Sequence, residues 1–412
     1  MNTNWKKNII LFLTSQTISL FGSALVQYAI TWYITLETQS GVMMAISIIC
    51  GFLPTFFLSP FAGVWADRYN RKLLIMLSDS MIAVSTLILA ILFLIGYDSM
   101  WMLFVVSAVR SVGAGIQTPA IGAILPQLVP EDKLTKVNAT NGSIQSLIML
   151  IAPMISGGLL SVATIETIFF IDVITAAIAV FTLFVFLKIP VHAKAMEKQT
   201  TSYFHDMREG YNYIKNHKYV KKFFIFCAFL YFLAAPPSFL TPLQVTRSFG
   251  EDVWRLTAIE IAFSIGMMMG GIVMAYWGGF KNRVHTIVFG GIIMGACGLA
   301  FGAIPIFWIY LIFMGVVGIA IPIFNTPATV LLQEKVEEEY MGRVFGVMSM
   351  IASIMMPLGM MIFGPAADLI RIEWLLVGTG LFTMIVSFLM LGSKVLIEAG
   401  KPNERPELLE EL

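Results

Sequence analysis

The chain alternates between long apolar runs and short polar breaks. Twelve runs stand out, at 10–35, 42–66, 73–95, 101–125, 138–162, 167–188, 223–246, 256–279, 286–304, 307–331, 344–369 and 374–396. Each approaches the ~20 helical residues needed to cross a bilayer core of roughly 30 Å. Strands of a membrane barrel would instead alternate apolar and polar residues over short segments. The pattern therefore predicts an all-α polytopic membrane protein with twelve transmembrane helices. Most breaks are short, but 190–222 is a long polar and basic stretch. Within it, Phe204, Met207, Tyr211 and Ile214 follow helical spacing. That spacing fits an amphipathic helix on the membrane surface or a linker helix in water. The expected organisation is a six-helix bundle over 1–189, a linker over 190–222, a second bundle over 223–397 and a tail over 398–412.

An internal repeat makes the two halves pseudo-symmetric. Gln117-Thr-Pro-Ala ends span four, and Asn325-Thr-Pro-Ala ends span ten. Each precedes a loop of mixed charge (Pro130 to Lys136, Glu337 to Arg343) and then a span with a proline inside, Pro153 or Pro357. Duplicated halves with a site at their interface are a transporter architecture.

Composition narrows the function. Of 412 residues 58% are hydrophobic and 12% charged, against about 25% charged in soluble domains. The net charge of +1 sits in loops and gives no reason to expect nucleic acid. The cysteines (Cys50, Cys227, Cys297) lie in apolar runs, and the four histidines lie outside them. Neither a disulfide framework nor a metal motif is suggested. Without a P-loop, a histidine pair or a nucleophile at membrane depth, an ATPase or a membrane enzyme is disfavoured, and no cofactor is expected. Lys6 and Lys7 precede a run too long for a signal-peptide core, so it reads as the first span. With both termini cytoplasmic, inner segments hold 22 of the 26 Lys and Arg and outer loops hold Arg247, Arg255 and Arg371, which satisfies the positive-inside rule.

Ionisable groups at membrane depth are costly and mark function. Arg110 lies about ten residues into span four, roughly 15 Å deep. The acids are Asp79, Asp172 and Glu260, with Asp368 read as solvated at an outer end. A carrier without membrane histidines must move protons on carboxylates, so Arg110, Asp79, Asp172 and Glu260 are the proton-coupling candidates. In span one, Gln16, Ser19, Ser23 and Gln27 share a face. Such a stripe looks into a cavity or against another helix. With Tyr231 and Phe232, beside the bend expected at Pro236-Pro237, it supplies the candidate substrate cavity.

The turn Gly63-x3-Asp67-Arg68-x2-Arg71-Lys72 resembles the signature between spans two and three of the major facilitator superfamily, with Asn70 where glycine is usual. Asparagine tolerates the left-handed turn this position suggests. Arg110 in Val109-Arg-Ser-Val-Gly113-Ala-Gly115 is similar to the span-four motif of proton-coupled members. Ala152-Pro153-x2-Ser156-Gly157 is similar to a weakened antiporter motif. Phe52-Leu-Pro54, Val129-Pro-Glu-Asp-Lys-Leu-Thr and Gln333-Glu-Lys-x5-Tyr-Met-Gly-Arg343 resemble bacterial macrolide-efflux transporters. The resemblance covers nearly the whole chain. It implies the major facilitator fold, and a monomer in a bacterial cell membrane exporting amphipathic compounds by proton antiport. Export or import of a siderophore or metabolite is the alternative. It also implies a cytoplasmic gate of Gly63, Asp67, Arg68, Arg71, Lys72, Gly342 and Arg343, with Asp67 facing the helix that starts near Gly342.

Overall fold

The computed structural model describes residues 5–187 and 213–401, apart from the side chains of a few helical residues. Most of the linker, including 203–212, and the tail beyond 401 lie outside the described residues. The first half forms α1 (Trp5–Thr38), α2 (Gly41–Arg68), α3 (Arg71–Leu94), α4 (Met100–Leu128), α5 (Glu131–Val162) and α6 (Ile165–Phe186). After the linker come α7 (Lys218–Leu233), α8 (Ala235–Phe239), α9 (Thr241–Phe249), α10 (Val253–Trp277), α11 (Arg283–Ala303), α12 (Phe307–Lys335), α13 (Glu338–Leu369), α14 (Ile372–Leu391) and α15 (Lys394–Ala399). No strand occurs among the described residues, and eleven of their helices are long and apolar enough to cross a membrane.

The exception is the seventh expected span, 223–246, which folds as the three pieces α7, α8 and α9. Proline removes a backbone donor and crowds the preceding turn. Pro236 and Pro237 form α8 with Ala235, Ser238 and Phe239, and Pro242 sits in the first turn of α9, the position proline tolerates best.

Two compact units emerge. One takes Met1–Thr201 with Ser238–Ile261 and Pro357–Arg371; the other takes Ser202–Pro237, Ala262–Met356 and Ile372–Leu412. In the first, α1 packs on α5 and α6, α2 on α4, and α3 on α4 and α6. Trp32, Phe12, Phe104 and Phe169 fill its interior. In the second, α11 packs on α12 and α14. A Cβ on Gly298 would sit 2.9 Å from Gly380 Cα, so backbone meets backbone there, as small residues permit between membrane helices.

The first unit is tied at both ends. At the α1–α2 turn, Asp368 accepts from Gly41 N (2.7 Å), Val42 N (2.9 Å), Ser40 Oγ (2.8 Å) and Arg247 Nη2 (2.7 Å). Arg247 also donates to Ala367 O (2.6 Å) and to Gln39 O. Asp368, expected to be solvated, is thus engaged, because the N-terminus of α2 offers it unpaired N–H groups and positive potential. Gln39 has a φ of 45°, the one positive value outside glycine among the described residues.

At the opposite end, the turn between α2 and α3 binds its cations to helix C-termini. Buried Arg71 donates to Ala66 O (2.7 Å) and Ala123 O (2.8 Å). Lys72 donates to Leu187 O (2.6 Å) and Phe184 O (3.3 Å). The carbonyls of Ala66, Phe184 and Leu187 lie in or just beyond the last turns of α2 and α6, where they lack helical partners and carry the negative end of the helix dipole, and Ala123 lies about one turn before the end of α4. Asn70 has an ordinary φ of −63° and caps α3 by accepting from Leu73 N; it makes no left-handed turn. Arg71→Ala should therefore destabilise the protein by about 2–3 kcal/mol, since hydrogen bonds from a charged group are lost and the Ala66 carbonyl is stranded. Thermal unfolding of the purified protein checks this, and Arg71→Lys should recover only part, because one ammonium cannot fork to both carbonyls.

Candidate functional site

Polar residues recur at a spacing of seven on three neighbouring helices: Gln16 and Ser23 on α1, Asp79 and Thr86 on α3, Arg110 and Gln117 on α4. Seven residues are two helical turns, about 10 Å along the axis. All six side chains turn into the first unit, which builds two polar layers in an otherwise apolar interior.

The first layer is an ion pair. Arg110 Nη1 lies 2.5 Å from Asp172 Oδ2, with the two side chains 6% and 0% exposed. Arg110 also donates to Thr86 Oγ1 (2.5 Å) and, through Nη2, to Ser23 O (3.0 Å). Ser23 Oγ donates to Asp172 Oδ1 (3.2 Å). Gly22 makes this possible: a Cβ there would sit 2.0 Å from Thr175 Oγ1 and 3.1 Å from Asp172 Cα. Without one, α1 closes on α6 and brings Ser23 to the carboxylate.

The second layer is a carboxylate without a cation among the described residues. Asp79 Oδ1 accepts from Ser19 Oγ (2.6 Å) and from Gln117 Nε2 (2.8 Å). Gln117 also donates to Gln16 Oε1 (3.3 Å). Asp79 and Gln16 are each 2% exposed. Asp79 Oδ2 and Gln16 Nε2 carry no hydrogen bond among the described residues. The two layers differ in kind: one pairs a carboxylate with a guanidinium, and the other leaves one carboxyl oxygen without a hydrogen bond among the described residues.

The remaining candidates are placed as follows. Of the α1 stripe, Gln16 and Ser19 are buried in the second layer and Ser23 bonds the first, while Gln27 is exposed. Half-buried Tyr231 packs on the apolar core of the second unit, and Phe232 is half-buried as well. Glu260 is half-buried on α10, within electrostatic reach of the Tyr28 hydroxyl. Gly63, Arg71 and Lys72 lie at the α2–α3 turn, with nothing within 4 Å of a Cβ on Gly63. The side chains of Asp67, Arg68 and Arg343, and the surroundings of Gly342, are not among those described. Sequence reasoning missed Thr86 and the role of Gln117; the seven-residue recurrence was the signal.

Long apolar helices around buried ionisable layers are an arrangement that membrane carriers use. The chain belongs to the Major Facilitator Superfamily, whose family model matches residues 12–360. It is 31% identical over 380 residues to Macrolide efflux protein A of Streptococcus pyogenes, covering 91% of this chain and 94% of that protein. It is 22% identical to the Staphyloferrin A transporter of Staphylococcus aureus, covering 95% and 98%. The fold matches a crystal structure of a point mutant of nucleoside transporter NupG at a TM-score of 0.72 and 14% identity, covering 94% of this chain and 99% of that one.

Removing one member of a buried ion pair leaves an uncompensated charge and costs about 3–5 kcal/mol. Arg110→Ala and Asp172→Asn should each lower the thermal midpoint and the yield of monodisperse protein. Arg110→Met combined with Asp172→Leu should lose less than the sum of the single variants, read from the same melting curves.

Proposed function

We propose that the chain exports amphipathic compounds in exchange for protons by alternating access, with its termini in the cytoplasm of a bacterial cell. The observation that carries this reading is the contrast between the two polar layers. Asp172 is locked to Arg110, so a proton there would have to displace a guanidinium. Asp79 has no cation among the described residues and an unoccupied Oδ2. A carboxylate without a counter-charge in a low-dielectric interior is costly to keep charged even with hydrogen bonds to one oxygen, and Asp79 is therefore the group that takes up and releases the proton. Ser19 and Gln117 hold one oxygen in place while the other exchanges. Arg110 and Asp172 keep α1, α3, α4 and α6 in register and supply the fixed charge that Asp79 works against.

Macrolides are the first substrate class to test, because the 31% relative bears the name Macrolide efflux protein A. The more distant Staphyloferrin A transporter supports a second reading, export or import of a siderophore. Uptake assays in a sensitised bacterial host separate them. Cells making the protein should accumulate less labelled macrolide than control cells, and a protonophore should abolish the difference. Higher accumulation would reverse the assigned direction; an effect on a siderophore alone would favour the second reading. Asp79→Asn should reach the membrane in normal amount and lose proton-driven efflux by about 100-fold, the scale of removing one positioned proton-transfer group.

A further inference from the structure

Asp79, Asp172 and Asp368 all have hydrogen-bond or ion-pair partners. Glu260 alone among the intramembrane acids has neither a hydrogen bond nor an ion pair among the described residues. It lies seven residues into α10, about 10 Å from the helix start. The nearest cation on its own helix, Arg255, is taken: it pairs with Asp252 at 3.3 Å and lies over the Trp254 ring at 5.4 Å.

The surroundings of Glu260 follow from one close contact. A Cβ on Gly157 would meet Thr257 Oγ1 at 1.8 Å and Trp32 Cζ3 at 3.0 Å. The bare glycine on α5 therefore seats α10 directly over Trp32 of α1. Glu260 follows Thr257 by three residues and Tyr28 precedes Trp32 by four, so each lies one turn further from that contact. Because α1 and α10 run in opposite directions across the membrane, both turns go the same way and bring Glu260 and Tyr28 to one level. Trp32 is buried and braces Tyr28, with ring centroids 5.6 Å apart. Tyr28 and Glu260 are both half-buried, and Gln27 beside Tyr28 is exposed. The titratable groups further along α1 are Tyr33 and Glu37, and the stretch of α5 beside them, Leu147–Val162, has none. No basic side chain of these elements is left to neutralise Glu260.

We infer that Glu260 and the braced face of Tyr28 form a recognition site for a lipophilic organic cation, with Glu260 as its counter-charge. A carboxylate unpartnered at membrane depth and an aromatic face beside it are the two components such a cation requires: the charge supplies the long-range attraction, and the ring replaces lost hydration with a cation–π contact. The site deepens the export reading by naming a substrate class, amphipathic amines and other soft cations, and it rests on that reading only for its part in transport.

Binding tests it directly. Purified full-length protein in lipid nanodiscs would be dialysed against tetraphenylphosphonium, a permanent cation, and against triphenylphosphine oxide, a neutral analogue. Glu260→Gln should weaken cation binding by about ten-fold or more, as removal of a counter-charge in a partly wet site demands. It should leave the weaker neutral binding unchanged, which also reports an intact fold. Tyr28→Ala should weaken the cation by about two- to five-fold and Tyr28→Phe should not, because the ring face supplies the contact. Failure of the wild type to bind the cation, unchanged affinity in Glu260→Gln, or equal loss of both probes would overturn the site. Intact cation binding without proton-driven efflux in cells would strike the export reading and leave the site standing.

Discussion

A charge cannot be left uncompensated inside a membrane bundle, and the first unit is arranged around meeting that demand for Arg110. The guanidinium is satisfied from three other helices: Asp172 on α6, Thr86 on α3 and the Ser23 carbonyl on α1. Those contacts fix the register of four helices at one level, and the seven-residue recurrence carries the same register two turns along to Asp79. A buried ion pair adds little net stability compared with good apolar packing, yet breaking it is costly. It is therefore better suited to specifying one arrangement of near-identical apolar helices than to holding them together. Packing does the holding, through Phe12, Phe104 and Phe169 and through contacts such as that at Gly22.

Cations elsewhere in this unit obey the same rule with backbone instead of carboxylate. Arg71 and Lys72 lie on carbonyls that end α2, α4 and α6 or lie near those ends. Arg247 and Asp368 do the equivalent at the α1–α2 turn, where the acid takes the free N–H groups and the arginine takes the free carbonyls. Helix ends are where a membrane protein has unpaired backbone to spend, and most charges among the described residues are found near them.

Much of the fold was legible in the sequence because apolar length is a strong signal: the first six spans, expected at 10–35 through 167–188, each fall on one helix. The seventh was legible as a proline-bent span, but nothing in its hydropathy announced three separate helices. Arg110 stood out because arginine is so rare at its depth. Asp172 was named beside it, but their pairing was not evident, since 62 residues separate them. The stripe on α1 was visible as a stripe, but its direction was ambiguous. Helical spacing fixes which residues share a face and not what that face meets, so Gln16 and Ser19 could equally have lined a cavity. The engagement of Asp368 was invisible for a simpler reason, since its partners at the start of α2 lie 326 to 328 positions away in the chain and Arg247 lies 121 away.

The order in which the chain is made gives the Arg110 pair one more meaning. At about 5–20 residues per second, Asp172 leaves the ribosome several seconds after Arg110. During that interval α4 must partition into lipid bearing an arginine whose carboxylate does not yet exist, a burden of about 2.5–3.5 kcal/mol on insertion scales. Ser23 and Thr86 belong to helices already synthesised, and both bind the same guanidinium. The hydroxyl and carbonyl that look secondary in the finished protein are thus the partners available to the arginine before α6 is made.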